Sequence, residues 1–403
     1  MIEPWVADLR ALTQQIPELH VNAFRWTSRE QFQQAATRIG AEMALLDAQS
    51  QRVKLAELVA RLGDGHSFVQ GYFPLLGFVP KSFPLRLYFF ADGLHVLAAA
   101  RSHAQLLGAR LERINGLPVA LVFKRVSAMF PAENDMSAKA WTVYGMTAPA
   151  VLRAYGVMQA SGPARFEFEQ DGRLLDMDLA GSERDAPMEQ FGQVLDPDWV
   201  LARPAHRPAL RHRHPERAYW AAFEAPHGLL YAQFNDIRNR GSQGVLDFFA
   251  ELARQAEAQP AERFVLDLRW NAGGETGMNG AIVKTLLASP VINRKDRFFV
   301  LIGRRTFSSA QLICTALEQY SQAIFVGETT GIRSHFFANT RRRLQLPHSQ
   351  LNVFLSTNWW QPTNARDLQP GQDPQIAVAE SFADHAQNRD PALEAVLAHP
   401  VGN

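Results

Sequence analysis

Ser308 stands in the run Arg304-Arg305-Thr306-Phe307-Ser308-Ser309-Ala310-Gln311, between the apolar stretches Phe298 to Gly303 and Leu312 to Leu317. The first stretch reads as a buried strand and the second as a helix. A serine on such a turn points its hydroxyl outward, with helical N–H groups behind it. Those groups and the helix dipole favour negative charge, which is the setting a serine nucleophile needs when it forms an oxyanion. The spacing suits a structural role as well. Ser308 with Gln311 fits a capping box, S-x-x-Q, and caps are commoner than nucleophiles.

Three further segments carry residues of the right chemistry. Asp267-Leu268-Arg269-Trp270-Asn271-Ala272-Gly273-Gly274 follows an apolar strand. Glycines there let backbone N–H groups approach an oxyanion or a phosphate, or simply make a tight turn. Neither a Gly-Lys-Ser/Thr sequence nor a G-x-G-x-x-G pattern is present, which argues against nucleotide binding. His66 lies in the glycine-rich turn Gly63-Asp64-Gly65-His66-Ser67. Histidine suits the general base that a serine requires, and a carboxylate must then orient it. Asp367 is a candidate for that carboxylate, or a solvated loop residue.

Elements must position these groups. Residues 1 to about 75 read as helical, with Trp5, Leu9, Leu12, Ile16 and Leu19 at helical spacing. Thr27 with Glu30 and Ser28 with Gln31 form two overlapping capping boxes. From about 76 to 190, alternating hairpins around Asp92-Gly93 and Asp171-Gly172 flank a helical stretch near 120–160. Residues 191–217 are rich in proline, arginine and histidine. They read as an exposed linker, because no carboxylate or cysteine joins the histidines at ligand spacing. From 218 to 403 short apolar strands alternate with helices, which implies a mostly parallel sheet covered on both faces.

Composition narrows the function classes. The 403 residues suggest roughly two to three domains. Lys+Arg 41 against Asp+Glu 40 offers no charge excess for a nucleic-acid or membrane-surface partner. The single cysteine, Cys314, excludes an intramolecular disulfide framework and a cysteine-rich metal site. No run reaches the ~20 apolar residues of a membrane span. The N-terminal residues lack a basic region followed by an apolar stretch, so the expected location is cytoplasmic, or that of a mature exported form.

Taken in order, four segments resemble the C-terminal-processing peptidase superfamily, which includes the tail-specific proteases, the tricorn core and the interphotoreceptor retinoid-binding protein. Leu62 to Ser67 resembles its Asp-Gly-His-Ser/Thr loop. Asp267 to Gly274 resembles its Asp-x-Arg-x-Asn-x-Gly-Gly turn, Thr306 to Gln311 its nucleophile turn, and Val326 to Gly331 its Gly-Glu-x-Thr turn. Gly108 to Val119 resembles the carboxylate-binding-loop region of a PDZ domain, with Leu75-Leu76-Gly77-Phe78 as a candidate short loop.

The resemblance implies an α/β peptidase core with a mostly parallel sheet, an N-terminal helical domain and an inserted, degenerate PDZ-like β domain. It implies a serine peptidase acting on peptides or proteins, in some cases at their C-termini, without cofactor or metal. Ser308 falls at the nucleophile, His66 at the base of the tricorn-like branch, and Asp367 at the acid, with Asp373 as the fallback. Gly273, Gly274 and Ser309 fall at the oxyanion hole. The lysine base of the other branch has no counterpart, because Arg333 stands near its place and arginine cannot accept a proton. Phe307 and the pairs Phe336-Phe337 and Trp359-Trp360 are candidates to line the substrate pocket, and both pairs suit a buried core at least as well. The alternative function is a binding protein for hydrophobic ligands or peptides on the same scaffold.

Overall fold

A computed structural model describes residues 4–401 apart from 75, 76, 79, 160, 161, 183–186 and 188. The candidate loop Leu75-Leu76-Gly77-Phe78 therefore lies partly outside the described residues.

The core is a six-stranded sheet. Its order is Tyr219–Glu224, Leu229–Phe234, Arg263–Asp267, Phe298–Ile302, Ile324–Gly327 and Ile376–Ala377. The first pair is antiparallel and every other pair is parallel. Helices Val245–Ala258, Asn279–Ala288 and Ser309–Tyr320 connect the parallel strands. The central strands are buried on both faces, which explains their unbroken apolar runs. The Ser308 turn and the Gly273-Gly274 turn both leave the carboxyl ends of neighbouring strands, where ligands bind in open α/β sheets.

Three helices precede this core, Pro4–Leu19, Arg29–Met43 and Ala48–Ala60. Of the two overlapping capping boxes, Ser28 with Gln31 forms. A mainly antiparallel sheet follows, built on the hairpins Leu85–Phe90 with Gly93–Ala100 and Ala164–Gln170 with Arg173–Leu179. Helices Val119–Val126, Asp135–Met146 and Pro149–Ala154 lie between the hairpins.

Two features differ from the sequence expectation. One apolar cluster runs continuously from the N-terminal helices through the antiparallel sheet to Leu344, Val353 and Leu355. Residues 342–355 do not extend the core sheet; Asn352–Leu355 pairs with Phe68–Val69, just beyond the His66 loop. The expected linker is also structured. Trp199–Leu201 pairs with Gly93–Ala100, and Arg211 and His212 are buried. The Arg211 guanidinium turns inward because carboxylates from the chain's end meet it there: Glu380, and Asp390 at 3.1 Å.

Candidate active site

The Ser308 turn is stitched to the Asn271–Gly274 turn. Thr306 Oγ1 donates to Leu268 O at 2.9 Å, and Phe307 N donates to Asn271 O at 3.0 Å. Between these ties and the helix, Ser308 takes φ 54° and ψ −126°. A serine held at positive φ is strained, and such strain persists where the surroundings enforce it. It exposes the hydroxyl at a strand-to-helix turn. The capping box does not form, since the Ser308 side chain makes no cap hydrogen bond. Ser308 Oγ lies 2.9 Å from His66 Nε2, although 242 residues separate the two in the chain. Gln311 turns away, donating to Thr315 Oγ1 and to Gln372 Oε1.

His66 is half-buried between two rings, Phe307 at 4.8 Å and Phe336 at 5.5 Å, both stacked. This desolvation pushes its pKa down to about 4, against the opposing pull of the Asp64 charge and the Phe337 main chain. The imidazole is therefore neutral at pH 7, the form a base requires. Its Nδ1 makes no hydrogen bond of normal geometry among the described residues.

The loop that presents His66 is clasped from several sides. Asp64 is buried and accepts from His66 N at 2.9 Å, Ser67 Oγ at 2.6 Å and His20 Nε2 at 2.9 Å. His20 Nδ1 accepts from Asn22 N at 3.0 Å, which places the His20 proton on Nε2, toward Asp64. Burial works against the Asp64 carboxylate, yet the bond from His20 and the histidine charges hold its pKa below the ordinary value. Glu133, also buried, accepts from Gly65 N at 2.9 Å and from Arg333 N at 3.2 Å. Burial raises its pKa to about 7, with Arg333 opposing and Asp64 reinforcing the rise.

Asp64, His66 and Glu133 offer ligand atoms within 4.8 Å of one another. Every carboxylate oxygen in this group already accepts a protein hydrogen bond. The cluster thus acts as a clasp on the loop.

The oxyanion candidates divide. Gly273 N already donates to Asn271 Oδ1 at 2.9 Å, so it is not among the available donors. The N–H groups of Gly274 and Ser309 have no partner among the described residues. Gly273 still matters through its missing side chain. A Cβ there would stand 2.8 Å from both Ser308 Cβ and Ser309 N.

Other expected site residues sit elsewhere. Asp367 accepts from Thr363 Oγ1 at 2.8 Å and from Gln369 N at 3.1 Å, with no bond to His66. Its carboxylate closes its own loop. Asp373 is exposed and accepts from Thr329 Oγ1. Phe307 is 2% exposed and serves as a wall of the imidazole, leaving little surface for a ligand. Trp359 packs on Phe337 at 4.8 Å, and the strand Asn358–Trp360 pairs with Phe336–Ala338, so both tryptophans pack against the strand that carries Phe336. The sequence reading gave no role to His20 or Glu133, and offered Phe336 only as pocket lining or buried core. Asp64 was visible in its motif, but its partners come from distant segments that no local spacing reveals.

No protein-family model matches the chain, and no curated protein matches it significantly. Among solved structures, mature CPAF complexed with lactacystin is 13% identical, with a TM-score of 0.64 over 98% of this chain and 96% of that one. Mature CPAF alone is 12% identical, with a TM-score of 0.63 over 98% and 95%. The photosystem II D1 C-terminal processing protease is 13% identical over 98% and 97%, with a TM-score of 0.40. These neighbours belong to the C-terminal-processing (S41) peptidase superfamily. The chain has the fold of mature CPAF, a mixed α/β architecture with a mostly parallel sheet among several.

Proposed function

We propose that the chain is a serine endopeptidase that cleaves peptide bonds through an acyl-enzyme on Ser308. The observation that carries this reading is the 2.9 Å approach of Ser308 Oγ to His66 Nε2 on a strained turn at a helix N-terminus. Ser308 attacks the substrate carbonyl while His66 Nε2 takes its proton and then delivers it to the leaving amine. Gly274 N–H and Ser309 N–H stabilise the oxyanion. Water, deprotonated by His66, releases the acyl group.

Asp64 replaces Asp367 as the charge that favours the imidazolium. It is the anion whose field raises the basicity of His66. Arg333 cannot act as the base; its guanidinium donates to Gly63 O at 2.8 Å and packs over Trp26. The peptidase neighbours support a peptide or protein substrate. We further read the antiparallel sheet of residues 85–201 as a degenerate PDZ-like insert and residues 4–69 as the helical domain that delivers the base.

A fluorophosphonate probe tests the reading on the folded protein. Labelling should be confined to Ser308 and be lost in Ser308→Ala and His66→Ala. A folded protein that takes no label points instead to a binding protein on this scaffold.

A further inference from the structure

Beside the Ser308 turn lies a cavity of about 700 Å³ whose wall includes Ala272 and Gly273. Gly273 is the residue that packs directly on Ser308. Four guanidinium groups line the cavity, those of Arg86, Arg238, Arg240 and Arg305. Three carboxylates face them among the described residues, Asp236, Glu189 and Glu216.

The pairing leaves positive charge in excess. Buried Asp236 alone serves both Arg238, at 2.8 Å, and Arg240, at 2.7 Å. Glu189 serves Arg305 at 3.2 Å and lies 3.8 Å from Arg86 Nε. Glu189 also accepts from Tyr144 Oη at 2.6 Å and keeps its pKa low: burial opposes ionisation, and Arg305 and Arg86 overcome it. Glu216 is exposed at the rim, with Arg217 at 3.4 Å.

Arg86 is the informative member. It is 7% exposed, and none of its nitrogens donates a hydrogen bond among the described residues. Its guanidinium lies 5.4 Å from the Tyr144 ring and 5.9 Å from the Trp199 ring. A buried guanidinium is a rigid five-donor fork suited to a two-oxygen acceptor, and donors left unmet in a buried site are costly. The serine chemistry described above makes no use of it.

We infer that this cavity is a substrate subsite for a carboxylate, in which Arg86 reads an acidic side chain near the scissile bond. The inference rests on the peptidase reading and is testable separately from it.

Peptides with amidated C-termini, paired as Glu or Gln at each position around the cleavage site, supply the test. Ser308→Ala protein binds them without turnover, and fluorescence polarisation reads the affinity. At one position the Glu peptide should bind about 30-fold more tightly, the scale of one charge-assisted hydrogen-bonded pair. Arg86→Gln and Arg86→Lys in that background should erase the difference while leaving Gln-peptide binding within about 3-fold. Equal binding of Glu and Gln peptides at every position overturns the inference. So does a preference that follows a free C-terminus instead of the side chain. Should Arg86 variants fail to fold, the Glu/Gln comparison in Ser308→Ala alone decides. A Glu preference in a protein whose Ser308 takes no fluorophosphonate leaves the subsite standing and removes the peptidase reading.

Discussion

Ser308 holds a backbone conformation unfavourable for serine while its hydroxyl meets a neutral imidazole. Neither property alone indicates chemistry; together they are what the proposed nucleophile role rests on, and a helix cap needs neither. The proposed carboxylate for His66, Asp64, is not the one the resemblance implied. Asp64 shares its loop and its electric field, whereas Asp367 is tied to Thr363 and Gln369. Asp64→Asn should therefore lower kcat/KM by on the order of 10² or more, in line with loss of the group that supports a catalytic imidazole. Asp367→Asn should change it by less than about 3-fold, as ordinary loop substitutions do. Rate measurements on the two folded variants decide, and the reverse ranking would restore Asp367. Residue type and flanking pattern suffice to nominate Ser308 and His66, and the fold brings the two side chains to 2.9 Å. The proposed acid was harder to nominate, because several loops offer an aspartate and only their spatial arrangement distinguishes them.

At the scale of elements, two turns from adjacent parallel strands are pressed together, and their contact requires a glycine. Gly273 has φ 98°, and an added Cβ would meet the Ser308 side chain and the Ser309 backbone at 2.8 Å. Gly273→Ala must displace Ser308 or the Ser309 N–H, the proposed nucleophile and oxyanion donor. The expected loss is about 10²–10³ in kcat, as for removal of one donor, with at least ~1 kcal/mol of stability lost to backbone strain. Fluorophosphonate labelling rates and thermal melts measure the two effects, and wild-type labelling would show that the turns do not need this close contact. The elements around these turns could be read from the sequence; the apolar stretch Phe298 to Gly303 contains the strand Phe298–Ile302, and Leu312 to Leu317 falls within the helix Ser309–Tyr320. Residues 191–217 could not. Proline, arginine and histidine ordinarily mark solvent, and the distant carboxylates Glu380 and Asp390 help make burial of Arg211 tolerable.

The whole molecule joins segments far apart in sequence through buried charge. Arg269 bridges Asp267 to Asp390, tying the end of a core strand to the C-terminal helix Pro391–Ala398. Glu133 does the same between the His66 loop and Arg333. This second junction has a readable pH signature. His66 falls from an ordinary 6.5 to about 4, so between those values the unfolded chain binds a proton that the folded protein refuses. Its contribution to stability is complete above pH 6.5 and is lost as pH falls toward 4. Glu133 rises from 4.5 to about 7, so between those values the folded protein keeps a proton that the unfolded chain releases. Its contribution is complete below pH 4.5 and is lost as pH rises through 7. From pH 4.5 to 6.5 the two slopes oppose and nearly cancel. Glu133→Gln should uncover the histidine, giving a protein whose stability, relative to wild type, climbs by ~3 kcal/mol across that window. His66→Gln should uncover the carboxyl and give a relative decline of similar size. Denaturant melts of the three proteins at half-unit pH steps test the pair. If both variants track the wild-type curve in parallel, neither group is buried as the fold places it, and the clasp on the His66 loop is open in solution.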